Sequence, residues 1–143
     1  MRLSKIELHE KDYPRAIDIW ERSVIATHDF LKESDRIQLK KEIPTYFPYV
    51  EAYLWFAGND IIGFSGTHDS NLEMLFLDPK YFKQGYGTEI LQTLIQEYKV
   101  QYVDVNKDNP NALAFYLRNG FKKYDESSKD GQGRDYPIVH LKL

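Results

Sequence analysis

The chain has 143 residues, 42% of them hydrophobic and 29% charged, which fits one domain of ordinary size, expected over residues 1–143. With 8 Gly and 6 Pro, and no repetitive segment, the composition excludes a disordered or collagen-like chain. A formal charge of −3 argues against general nucleic-acid binding, which needs a basic face, and the lack of cysteine removes disulfides, a thiol nucleophile and a Cys-based zinc site.

Met1-Arg2-Leu3-Ser4-Lys5 has no apolar stretch of leader length. The longest apolar run, Ala52 to Ala57, is far short of the ~20 residues that cross a bilayer. The expectation is a soluble cytoplasmic protein with no membrane partner.

Leu3, Ile6 and Leu8 form a short opening strand. Asp12 is suited to cap a helix with Pro14 in its first turn, and Ile17, Trp20 and Val24 recur at helical spacing to about Thr27. A second helix is predicted from about Ser34, through Ile37, Leu39 and Ile43, with Pro44 and Pro48 ending it. Tyr53 to Ala57 and Ile61 to Thr67 read as a hairpin around Gly58-Asn59-Asp60, and Leu72 to Leu77 as the next strand. The segment Gln84-Gly85-Tyr86-Gly87-Thr88 leads into a helix with Ile90, Leu91, Leu94, Ile95 and Tyr98 in one stripe. Tyr102 to Val105 is a strand. Asn109 and Pro110 start a helix that stops at Asn119-Gly120. Phe121 and Tyr136 to Leu143 begin and form the last two strands. The order β-α-α-β-β-β-α-β-α-β-β is that of a mixed α/β domain, with Leu72 to Val105 expected as a right-handed parallel crossover.

Between the strand at Leu72–Leu77 and its helix lies a glycine loop. Such a loop presents free backbone N–H groups at the positive end of a helix dipole, a site suited to phosphate. Gly85 and Gly87 let the backbone approach an anion closely, and Lys80 and Lys83 add charge. The pattern is neither a P-loop nor a dinucleotide fingerprint.

The pairing of "QGYGTEIL" with "NPNALAFYLRNGF", residues 109–121, resembles the GNAT N-acetyltransferase superfamily, and the whole element order agrees. The segments Ser23 to Leu31 and Tyr136 to Leu141 are similar to small bacterial members. The resemblance implies a GNAT-like fold, acetyl-CoA as cosubstrate without metal, and an amine acceptor, small molecule or peptide.

It further implies that Lys83, Gln84, Gly85, Tyr86, Gly87 and Thr88 hold the pyrophosphate. The main chain at Leu75, Phe76 and Leu77 would face the pantetheine arm, and a backbone N–H there would bond the thioester oxygen as charge develops. Asn109, Ala112 and Phe115 would complete the cofactor site. The superfamily usually has Arg or Gln, then Gly, where Phe82 and Lys83 stand, a departure expected to weaken or alter binding without abolishing it.

Tyr116 matches the tyrosine beside the cofactor sulfur, as general acid or hydrogen-bond donor. A thiol pKa of ~8.5 against ~10 for a phenol makes complete proton transfer uphill by roughly 2 kcal/mol. Glu73, expected on the same side of its strand as Leu75 and Leu77, is a candidate base. His28 is another, with water the third. Thr27, His28 and Phe30 are candidate acceptor contacts. His9, His68 and His140 lack metal-ligand spacing, and no metal is expected. Without a Cys or an activated Ser to carry the acetyl group, the expected path is direct attack in a ternary complex. The alternative is an acyl-CoA-binding or sensing module with the same fold. Monomer and homodimer are both open.

Overall fold

The computed structural model describes residues 3–143; Met1 and Arg2, which begin the segment read above for apolar character, lie outside them. Strands β1 (Leu3–Glu7), β2 (Glu51–Ala57), β3 (Asp60–His68), β4 (Asn71–Leu77), β5 (Tyr102–Asn106), β6 (Lys122–Ser127) and β7 (Ile138–Lys142) form one sheet in the order β1-β2-β3-β4-β5-β7-β6. All neighbours are antiparallel except β4 and β5, the expected parallel crossover. Helices α1 (Tyr13–Thr27) and α2 (Glu33–Tyr46) pack with Leu54, Phe64, Met74 and Phe76. Helices α3 (Tyr86–Tyr98) and α4 (Pro110–Arg118) pack with Trp55, Ile62, Leu72, Val103, Val105, Val139 and Leu141. Adjacent Leu54 and Trp55 join different clusters, because strand side chains alternate between faces. Burying each such side chain contributes roughly 1.5–3 kcal/mol.

Two local expectations are corrected. Asp12 occupies the N-cap position of α1, but its side chain makes no cap bond to that helix. It lies in a 3-10 turn, Glu10–Asp12, where its carboxylate accepts from the His9 N–H at 3.2 Å. Pro44 does not end α2, which runs to Tyr46, because buried Ile43 and Phe47 anchor the chain on both sides of it. The anchored packing outweighs the one lost backbone bond. Thr67 pairs with Leu72 but Gly66 with Met74, so Glu73 is the extra residue of a β-bulge.

That bulge sits where the sheet opens. β4 and β5 pair only at Asn71–Tyr102 and Leu72–Val103, and beyond them the strands diverge. The edge of β4 facing β5 is left without a strand partner from Glu73 to Leu77, while its other edge stays on β3.

Candidate active site

The loop from β4 to α3 is held at its start. Asp78, only 4% exposed, accepts from the Lys80 N–H at 3.1 Å, and the Arg22 Nη1–H on α1 donates to its Oδ2 at 2.6 Å. Arg22 also donates to Asp18, and the two carboxylates raise its pKa, Asp78 most. Lys83 (φ 61°) and Gly85 (φ 85°) then turn the chain through left-handed conformations. Lys83 therefore takes, at a steric cost, the backbone shape that a glycine adopts freely. Among the described residues no carbonyl accepts from the N–H groups of Lys83 to Thr88; the first bonded donor is Glu89, to the Gly85 carbonyl at 3.2 Å. These free donors lie at the N-terminal end of α3, where the helix dipole favours an anion. α3 starts at Tyr86, so Gly87 and Thr88 belong to its first turn and not to the loop before it.

Gly87 joins three parts of the site. A Cβ there would lie 3.5 Å from the Phe115 ring and 3.6 Å from Leu77 Cδ1. Phe76 points the other way, stacking on Phe64 at 5.5 Å between centroids, so only its main chain faces the splay.

On α4, Asn109 is the helix cap: its Oδ1 accepts from the Ala112 N–H at 3.2 Å. Tyr116 packs edge-on between Phe115 (5.0 Å) and Phe121 (5.7 Å) and is 8% exposed. Burial raises its phenol pKa. No hydrogen-bond partner for its hydroxyl is found among the described residues. Gly120 (φ 95°) closes the helix as expected, and the Phe121 N–H donates to the Tyr116 carbonyl at 3.1 Å.

At the end of α1, the Thr27 hydroxyl donates to the Ser23 carbonyl (2.8 Å) and lies 2.7 Å from His28 Nδ1. His28 Nε2 lies 3.4 Å from Asn109 Nδ2. Burial, against the smaller opposing effect of Asp29, lowers the His28 pKa. Phe30 leans on His28 at 5.1 Å and on Tyr136 at 6.2 Å. The structure thus brings His28 and Asn109 together, and separately gathers Leu77, Gly87, Phe115 and Tyr116. Glu73 is exposed at the bulge.

Two features were missed from the sequence. Arg22, inside an ordinary helical stripe, secures the glycine loop through Asp78, and nothing in the spacing signals it. Asp104 stands one residue past the last β4–β5 pair, on β5, facing away from buried Val103 and Val105. Its Oδ1 is 2.6 Å from His140 Nδ1, and His140 Nε2 is 2.6 Å from Ser127 Oγ. Alternation about Val103 and Val105 offered a signal for Asp104, but the partner strand was needed to find His140.

Residues 7–121 match the Acetyltransferase (GNAT) family. The chain belongs to that family. Over 99% of its length it is 35% identical to the peptidyl-lysine N-acetyltransferase YjaB of Salmonella typhimurium (strain LT2), covering 95% of that protein. This GNAT enzyme also superposes on the solution structure of apo-form YjaB from Escherichia coli with a TM-score of 0.89 and 27% identity, over 99% of this chain and 97% of that one. The PaiA N-acetyltransferase of Thermoplasma acidophilum in complex with coenzyme A matches over the full length of both chains, with a TM-score of 0.72 and 20% identity, a likeness of fold. The family and mixed-sheet expectations are borne out, and the enzyme is an acetyl-CoA-dependent N-acetyltransferase. Among the described residues, no helix is long and apolar enough to cross a membrane.

Proposed function

We propose that this single acetyltransferase domain moves an acetyl group from acetyl-CoA to the side-chain amine of a peptidyl lysine, by direct attack in a ternary complex. The observation that carries the reading is the β4–β5 splay flanked by the free N–H groups of Lys83 to Thr88. The likeness to the peptidyl-lysine N-acetyltransferase YjaB supports the choice of acceptor. Left-handed Lys83 preserves the loop's turn, so the departure from glycine gives little support to a binding-only module.

The residues present suit the cosubstrate. Donors at the start of α3 match a pyrophosphate, and the open β4 edge at Leu75 and Leu77 offers main-chain groups to an amide-bearing arm. Acetyl-CoA supplies the activated thioester. The β4 backbone N–H stabilises developing negative charge on its oxygen. Tyr116 holds its proton throughout the working pH range and donates a hydrogen bond to the departing sulfur. Raising the phenol pKa further above that of a thiol makes hydrogen bonding, not full transfer, the favoured role. A carboxylate at the splay, Glu73 at the bulge or Asp104 oriented by His140, takes the amine proton directly or through water. His28 is poorly suited to that task, since its Nε2 faces Asn109.

A thermal melt with acetyl-CoA, against ATP as polyphosphate control, tests the cofactor half. At a hundred times the dissociation constant the stabilisation is about 2.7 kcal/mol. Thiol release with lysine peptides tests the acceptor. A shift with acetyl-CoA but no release with any amine would leave the binding module as the function.

A further inference from the structure

A polar row crosses three strands on the sheet face opposite α3 and α4. Asp104 on β5 lies directly across from His140 on β7. Ser127 on β6 lies across from Ile138, two residues along β7 from His140. Cross-strand partners and residues two apart share a face, so the three side chains stand together. Their neighbours Val103, Val105, Val139 and Leu141 are buried on the other face. His140 Nδ1 is 2.6 Å from Asp104 Oδ1, and His140 Nε2 is 2.6 Å from Ser127 Oγ.

The contacts assign the hydrogen bonds. A carboxylate only accepts, so Nδ1–H donates to Asp104. When the ring is neutral its Nε2 accepts, and the Ser127 hydroxyl donates to it. The second carboxylate near the ring is engaged elsewhere: Asp125, opposite His140 on β6, accepts from the Glu126 N–H at 2.8 Å. The Tyr124 ring stands 6.2 Å from the imidazole.

A Ser-His-Asp row can serve either end. In a nucleophilic triad the acid is buried and the serine meets the substrate. Here the Asp104 side chain is 64% exposed and stands one residue past the last β4–β5 pair, at the splay. Ser127 is half-buried on β6, with β7 between it and β5. Among the described residues the other Asp104 oxygen has no hydrogen-bond partner, so it is free to accept. Neither oxygen of Glu73 has a partner among them either, so nothing fixes its direction. A group aimed in advance does more for a transition state than a mobile one.

We propose that Ser127 and His140 are positioning residues for proton abstraction: Ser127 sets the tautomer of His140, whose Nδ1–H holds one oxygen of Asp104 so that the other takes a proton from the acceptor ammonium. The inference deepens the acetyl-transfer reading by choosing Asp104 over Glu73 as base, and it needs only an amine acceptor, peptidyl or free. An N–H bond of the ammonium breaks and the proton passes to Asp104, directly or through one water. The electron pair left on nitrogen bonds the acetyl carbon, and the C–S pair leaves on the sulfur. Exposed Asp104 then returns its proton to solvent.

The test follows kcat/KM for thiol release against pH, with whichever amine the wild type accepts. Asp104→Asn should lose roughly 10²–10⁴. That deficit should shrink towards pH ~10.4, where a lysine amine no longer needs a base. His140→Leu should lose roughly ten- to a hundredfold, the range for a hydrogen bond to a charged group, with the same convergence. His140→Asn sets an amide N–H where Nδ1–H stood and should recover most of the rate. Ser127→Ala should cost less than about tenfold. Melting with and without acetyl-CoA checks that the variants fold. Deficits that stay constant with pH overturn the inference, as does Glu73→Gln showing the convergence in place of Asp104→Asn. Labelling of Ser127 by a fluorophosphonate overturns it too, because the row would then serve the serine. Nitrogen NMR of His140 gives a readout without turnover. The ring should be the Nδ1–H tautomer in the wild type and a mixture in Ser127→Ala, and an Nε2–H ring in the wild type overturns the inference whatever amine is accepted. Refusal of lysine peptides beside turnover of free amines fails the peptidyl-lysine reading alone, and the same variants on the free amine then decide the role of the row.

Discussion

His28 Nε2 lies 3.4 Å from Asn109 Nδ2, and this contact fixes the protonation state of the imidazole. Asn109 Oδ1 already accepts from Ala112, so its Nδ2 donates and Nε2 accepts. On the other side the Thr27 hydroxyl spends its proton on Ser23, so its oxygen accepts from Nδ1–H. His28 is therefore the neutral Nδ1–H tautomer. Protonating it would set N–H against N–H₂, or force an amide flip that uncaps α4.

A pH dependence follows. The unfolded chain takes up this proton near the ordinary histidine value of 6.5, and the folded protein only at lower pH. The stability contributed by neutral His28 is complete above about 6.5 and is lost as pH falls through the folded value. Urea midpoints between about pH 7.5 and about pH 5 should decline, and His28→Gln should flatten part of that decline. An identical slope in the variant would remove His28 as the cause.

Asn109→Ala removes both the cap and the histidine contact. A lost cap costs about 1 kcal/mol, or about 3–5 °C for a domain of this size. Calorimetry should show that loss, together with a partial recovery of the ordinary His28 pKa by NMR titration.

Tyr116→Phe should lower kcat by roughly 10²–10⁴ while the acetyl-CoA KM changes little. Because the phenol is held protonated, the wild-type rate should show no loss of activity from this residue near pH 10, the ordinary value. Retained turnover in the variant would take the hydroxyl out of the mechanism.

Arg22→Met should loosen the phosphate loop without touching ligand. The expected result is a raised acetyl-CoA KM with kcat nearly preserved, plus a loss of about 1–3 kcal/mol from leaving Asp78 buried without its cation. Asp78→Asn paired with Arg22→Met should recover part of the stability. A fall in kcat alone would argue against this positioning role.

Lys83→Gly and Lys83→Ala separate backbone from charge. Glycine relieves the left-handed strain and should stabilise the fold by about 1 kcal/mol, whereas alanine keeps the strain. If the ammonium assists the pyrophosphate, both variants raise the acetyl-CoA KM; if only the turn matters, glycine lowers it.

The sequence by itself determined the elements, their order and the two motifs of the family. Those properties are local: periodic apolar residues choose helix or strand, Asn109-Pro110 starts α4, and Gly120 ends it. Tertiary structure decided what depends on neighbours far along the chain. Pro44 remained inside α2 because Ile43 and Phe47 are both buried. Glu73 became the extra residue of a bulge because β3 pairs around it, and the same bulge marks where β4 leaves β5. Arg22 met Asp78, and His28 met Asn109, across separations that no periodicity encodes. A pattern of residues specifies which face a side chain takes, but the partner across a cleft is set by how the strands and helices pack.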